Sequence, residues 1–130
     1  MATYPRERLA LAHVPAWLHE DAVGASDRGR EILQRTLAEY QTAGVPRGEL
    51  IACDQEGRDG TRLGGCFKVY LGEPVKGQPG PWGMVFAPVR QPDGTPALLP
   101  LAFGLRHPDN LGSTKPSVYK AADPRLHRPA

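Results

Sequence analysis

The side chains best equipped for chemistry lie in the second half of this chain. Arg106 and His107 are adjacent. The pair sets an always-charged fork of N–H donors beside an imidazole whose reference pKa is about 6.5. His107 could serve there as a general acid or base; the plainer reading is polar loop surface. Cys53 and Cys66 are the two cysteines. They match neither a disulfide framework nor a zinc-ligand spacing, and read as ordinary thiols of a reducing cytosol.

The formal net charge of +2 hides an asymmetry. Residues 1–57 carry nine Asp/Glu against six Lys/Arg, whereas residues 58–130 carry ten Lys/Arg against five Asp/Glu. A polyanion contact is therefore expected in the second half, although most charged residues of any chain are simply solvated. With 130 residues, 40% of them apolar, the chain can build one hydrophobic core and is too short for two ordinary domains. No apolar run approaches the roughly 18–20 residues of a membrane span. The N-terminus leads into no signal-peptide core, so a cytoplasmic protein is expected.

The elements that must position these groups follow from local pattern. The first eight residues read as a loose arm, and Arg8 to Val14 as an opening strand. Pro15 suits the first turn of a helix over Ala16–Val23. Ser26 is a good N-cap and Asp27 suits the positive end of the dipole of a second helix. Its buried face is Ile32, Leu33, Leu37 and Tyr40, and Gly44 and Pro46 end it. Short strands follow: Glu49–Cys53, then Cys66–Leu71 with Phe67, Val69 and Leu71 on one face and Lys68 and Tyr70 on the other. Between these two lies a polar, Gly-rich loop over Asp54–Gly65.

A Gly/Pro-rich connection, Gly72–Pro81, leads to a strand over Trp82–Val89. Pro92-Asp93-Gly94 makes a turn into a buried strand over Ala97–Gly104. Pro88 and Pro100 cannot donate to a ladder, so each predicts a bulge or an unpaired site. Helices first and an antiparallel meander second predict an α+β fold.

Four pieces in this order resemble the RelE/ParE superfamily of bacterial toxins. They are the strand Cys66-Phe67-Lys68-Val69-Tyr70-Leu71, the aromatic-led strand Trp82-Gly83-Met84-Val85-Phe86, the strand end Gly104-Leu105-Arg106, and the terminal Val118-Tyr119 with the later Arg125-Leu126. The resemblance covers residues 26–128. It implies two N-terminal helices packed on a small twisted antiparallel sheet. It also implies a type II toxin that is neutralised by a cognate antitoxin. The ribonuclease members cut mRNA in the ribosomal A site without metal or other cofactor; the ParE branch poisons gyrase instead.

Carried over residue by residue, the resemblance makes Arg106 the arginine that stabilises the phosphate. Lys68 becomes a phosphate contact on the open face of the sheet, and Tyr119 the tyrosine that stacks on a base or assists proton transfer. His107 has no fixed counterpart in the pattern. Arg62, Lys115, Lys120 and Arg125 would supply the electrostatic footprint on RNA. The acidic first half, with Glu20, Asp21, Glu31 and Glu39, would receive a basic part of the antitoxin.

The chain departs from the pattern at two positions. Gly83 stands where ribonuclease members carry an arginine, and Tyr70 where many carry a second lysine. The loop from Pro108 to Lys115 separates Arg106 from Tyr119 by more than is usual. These departures favour the alternatives of a gyrase-directed toxin or a catalytically inactive binding module.

Overall fold

Ser26 starts the longest helix as its type predicts: its Oγ accepts the Gly29 N–H at 3.1 Å and its carbonyl the Arg30 N–H at 2.9 Å. In the computed structural model, which describes residues 12, 15–43, 50–57, 60–74, 76–112 and 115–127, this helix (α2) spans Asp27–Ala43. It is preceded by α1, Ala16–Gly24, which Pro15 opens from an extended conformation without a side-chain cap. The expected arm, most of the expected opening strand, and the Gly44/Pro46 helix stop lie outside the described residues. Ala12 is described, and its N–H donates to the Leu98 carbonyl at 2.8 Å.

Four antiparallel strands follow in sheet order β1-β2-β3-β4: β1 Ile51–Ala52, β2 Phe67–Leu71, β3 Trp82–Arg90 and β4 Pro96–Leu105. The protein is therefore an α+β fold, with both N-terminal helices ahead of the sheet. After β4 come a 3-10 turn at Pro108–Leu111 and a third helix, α3, over Val118–His127.

Sheet alternation divides the interior into two cores. One face carries Val69, Trp82, Met84, Phe86, Leu98 and Phe103, and Leu18, Ile32, Leu33 and Tyr40 of the helices pack onto it. Contact is closest at Gly29, where a Cβ would fall 2.4 Å from the Trp82 ring. A glycine is tolerated in the first turn of α2 because the Trp82 indole fills that space. The Trp82 and Phe103 rings stack with centroids 5.3 Å apart.

On the opposite face, Val85, Ala87, Leu101 and Ala102 pack with Leu63, Cys66, Val118 and Ala122. Here the register slips: Val85 faces Ala102, but Phe86 faces Pro100. Leu101 is the extra residue, so Leu101 and Ala102 both enter the second core. The missing N–H of Pro100 is the local cause, as its type predicts.

α3 was not legible as a helix, because Pro124 lies inside it. Proline removes a hydrogen bond and crowds the preceding turn, which argues against helix in a sequence reading. The helix is held by other means. The Ser117 carbonyl accepts the Ala121 N–H at 3.0 Å, its Oγ accepts the Lys120 N–H at 3.2 Å, and Val118 and Ala122 are buried one turn apart.

Candidate functional site

The second face of the sheet is not fully covered. Between β2, the end of β4, the loop after β1 and the start of α3 lies a cavity of about 230 Å³. Asp54, Thr61, Lys68, Arg106, His107 and Tyr119 are among its walls. Strand alternation puts Lys68 and Tyr70 on this side, since Val69 between them is buried in the opposite core.

Arg106 leaves β4 one residue after Leu105, which pairs with Trp82. Its backbone N–H donates to the Pro81 carbonyl at 2.8 Å, and its Nη1 to the Gly80 carbonyl at 3.0 Å. The guanidinium carbon lies 3.9 Å from the centre of the Tyr70 ring. Gly83 supplies the path beneath. Tyr70 pairs with Gly83, which pairs with Gly104, so the sheet has no side chain at the last two of these three positions. A Cβ on Gly83 would fall 3.1 Å from Arg106 Cγ and 3.5 Å from Val118 Cγ1. Gly83 and Tyr70, which stand where the family pattern has cations, thus form the floor and the shelf for Arg106. Arg106 Nε is buried and has no hydrogen-bond partner among the described residues.

Tyr119 returns to this point despite the long loop, because α3 begins over the site. Its phenol faces the Arg106 side chain across the cavity. Burial raises the phenol above its ordinary range, and Arg106 and Lys68 offset this only in part. Tyr119 is thus a neutral donor near pH 7. Lys68 Nζ lies between the two tyrosines, 5.2 Å from the Tyr119 ring centre and 5.7 Å from that of Tyr70. His107 lines the same cavity. The four residues expected to act together are therefore neighbours, contributed by β2, the residues after β4, and α3.

Cys53 and Cys66 are also neighbours, with the Cys53 N–H donating to the Cys66 carbonyl at 3.0 Å. Both are free thiols. Burial, reinforced by Cys66, pushes Cys53 up to about 12, with Lys68 acting in the opposite direction; burial pushes Cys66 to about 11. Neither is a thiolate at neutral pH, so the cavity has no nucleophilic sulfur. Among the described residues no group of three His, Cys, Asp or Glu is arranged to hold a metal ion. No helix among them is long and apolar enough to cross a membrane.

The expected RNA footprint is reduced. Arg125 is not an open surface cation: its Nη1 and Nη2 donate to the two Asp21 carboxylate oxygens at 2.8 and 2.9 Å, and Nη1 also to the Leu101 carbonyl at 2.9 Å. It ties α3 to α1 and β4, away from the cavity. Lys115 Nζ donates to the Gly24 carbonyl at the end of α1. Arg62 and Lys120 are exposed, Arg62 beside the cavity wall formed by Thr61 and Leu63.

The acidic residues expected to receive a partner are partly engaged within the chain. Asp21 is consumed by Arg125 and by the Phe103 N–H at 2.9 Å. Glu31 pairs with Arg28 and Arg35 at 2.8 and 2.9 Å. Both carboxylates are engaged within the chain, and Glu20 too lies 3.8 Å from Arg125 Nη2.

Two residues were missed. Tyr70 shares the open face with Lys68 by strand alternation, but nothing in the sequence marks it as the shelf for Arg106. Asp54 was read as one residue of a polar loop, and nothing local marks it as facing a cavity. No protein-family model matches this chain, and neither does any curated protein or solved structure with which it was compared.

Proposed function

We propose that the protein is an RNA-directed toxin of the RelE/ParE kind, cleaving mRNA on the ribosome and neutralised by an antitoxin partner. The observation that carries this reading is the convergence of Arg106, Lys68, Tyr119 and His107 on one cavity. Cleavage of an RNA phosphodiester needs the 2′-OH deprotonated, the charged phosphorane stabilised and the leaving 5′-oxygen protonated.

Arg106 and Lys68 supply positive charge for the phosphorane. Arg106 Nε, which has no hydrogen-bond partner among the described residues, adds a further donor. His107 takes the 2′-hydroxyl proton as that oxygen attacks phosphorus. Tyr119, neutral because buried, gives its proton to the departing 5′-oxygen. The products are a 2′,3′-cyclic phosphate and a free 5′-hydroxyl.

In a ribosome-dependent translation assay the wild-type chain is expected to cut mRNA at the A site. Arg106→Ala should lower the rate by about 10²–10³, the usual effect of removing one transition-state donor. Equal cleavage by both would remove Arg106 from the mechanism.

A second reading is a gyrase-directed toxin or an inactive binding module. It is favoured by the small number of cations around the cavity: Arg125 and Lys115 are engaged elsewhere. Inhibition of supercoiling with mRNA left intact would replace the first reading with the second.

A further inference from the structure

The cavity has two ends of opposite charge. β1 runs antiparallel to β2 with Ile51 opposite Lys68 and Ala52 opposite Phe67. The chain continues to Cys53, whose backbone N–H donates to the Cys66 carbonyl, and then to Asp54, three residues beyond the partner of Lys68. At about 3.4 Å per residue this carries Asp54 on the order of 10 Å along the strand direction from Lys68. Tyr70 and the Arg106 guanidinium lie on the other side of Lys68 along the same line. Asp54 and Arg106 nevertheless line one cavity. Asp54 is exposed at its end of the cavity. Its loop is braced by the Gly57 N–H, which donates to the Thr61 carbonyl at 2.9 Å.

A ligand that fills such a cavity has an anion at one end and hydrogen-bond donors at the other. One nucleotide meets that description. Building on the RNA reading above, we propose that Asp54 is a specificity residue that reads the base of a nucleotide whose phosphate lies at Arg106 and Lys68, and that this base is guanine. An ionised carboxylate only accepts hydrogen bonds, through two oxygens side by side. Guanine alone presents two adjacent donors, N1–H and the N2 amino group, on its pairing edge. Adenine and cytosine offer one amino group beside an acceptor. Uracil sets a single N–H between two carbonyls that the carboxylate repels.

The test is calorimetric titration of the full chain with guanosine 3′-monophosphate, uridine 3′-monophosphate and inorganic phosphate. The guanosine nucleotide is expected to bind about tenfold more tightly than the uridine nucleotide, and the two to bind alike in Asp54→Asn. Equal affinity for both nucleotides in the wild-type chain, or a preference retained in Asp54→Asn, overturns the assignment of Asp54. Phosphate that binds and is lost in Arg106→Ala, with no base preference, defeats this inference alone. No binding of either nucleotide or of phosphate defeats the anion site and the inference with it.

Discussion

The guanidinium of Arg106 rests on the ring of Tyr70, 3.9 Å from its centre, with Nη1 tied to the Gly80 carbonyl. A cation so placed keeps its charge while losing much of its freedom, so an anion that binds it need not order it. Tyr70→Phe preserves the ring face and should bind phosphate as the wild-type chain does. Tyr70→Leu removes it and should weaken phosphate binding about five- to tenfold, the range of a partly desolvated cation–π contact. Equal weakening in both variants would transfer the effect to the Tyr70 hydroxyl.

Gly83 is expected to resist every side chain. Gly83→Ala sets a methyl 3.1 Å from Arg106 Cγ, so the arginine stem must shift. The cost in stability should be about 1 kcal/mol, the low end of overpacking, with a larger proportional loss of phosphate binding. Gly83→Arg, which restores the cation of the family pattern, should destabilise by about 3 kcal/mol or more, read from urea midpoints. A stable Gly83→Arg with stronger phosphate binding would mean that the floor can open.

Asp21 and Arg125 are both largely buried, with side chains 10% and 16% exposed. Removing one partner leaves the other charged and uncompensated, at about 3–5 kcal/mol. Arg125→Met and Asp21→Asn are each expected to cost in that range, Asp21→Asn also weakening its bond to the Phe103 N–H. The double variant should lose less than the sum. Additive losses would show that the two side chains do not act as a pair.

The two thiols make stability sensitive to alkali. Their folded values, about 12 for Cys53 and about 11 for Cys66, lie above the ordinary 9.0. Unfolding therefore releases protons once the pH exceeds about 9. Stability should hold below that point and decline as pH rises through 9 toward 11. The Tyr119 phenol, also raised, adds to the decline at the upper end. Urea midpoints measured at pH 8 and 10.5 should differ less in Cys66→Ala than in the wild-type chain. At pH 8 Cys66 is about one-thousandth thiolate, so alkylation should be far slower folded than in urea.

What could be read in advance was whatever depends on short-range pattern. Ser26 capped its helix, Lys68 and Tyr70 shared a face, and Pro100 stood beside a bulge because each follows from local stereochemistry. The grouping of Arg106, Lys68 and Tyr119 was legible only as what the resemblance implies, since no local pattern links residues so far apart in the chain. Distant partners stayed hidden. Nothing near Arg125 announces Asp21, 104 residues away. Pro124 masked α3, although Ser117 with Val118 and Ala122 carried a cap and a buried stripe. The role of Gly83 was invisible because an absent side chain has meaning only when its neighbour is in view.

The salt bridge from Arg125 to Asp21 bears on when the site can exist. Tyr119 and the roof of the cavity belong to α3, which is fastened to the body of the protein by that arginine, by Val118 and Ala122 in the second core, and by the Arg62 N–H on the Asp123 carboxylate. A growing chain that has reached only residue 117 has its sheet, Lys68 and Arg106 but no roof, and the second core lies open. The cavity is therefore the last part to assemble as the protein is made. A chain released before α3 would leave the second core uncovered by Val118 and Ala122, and would be open to proteolysis before its cavity had formed.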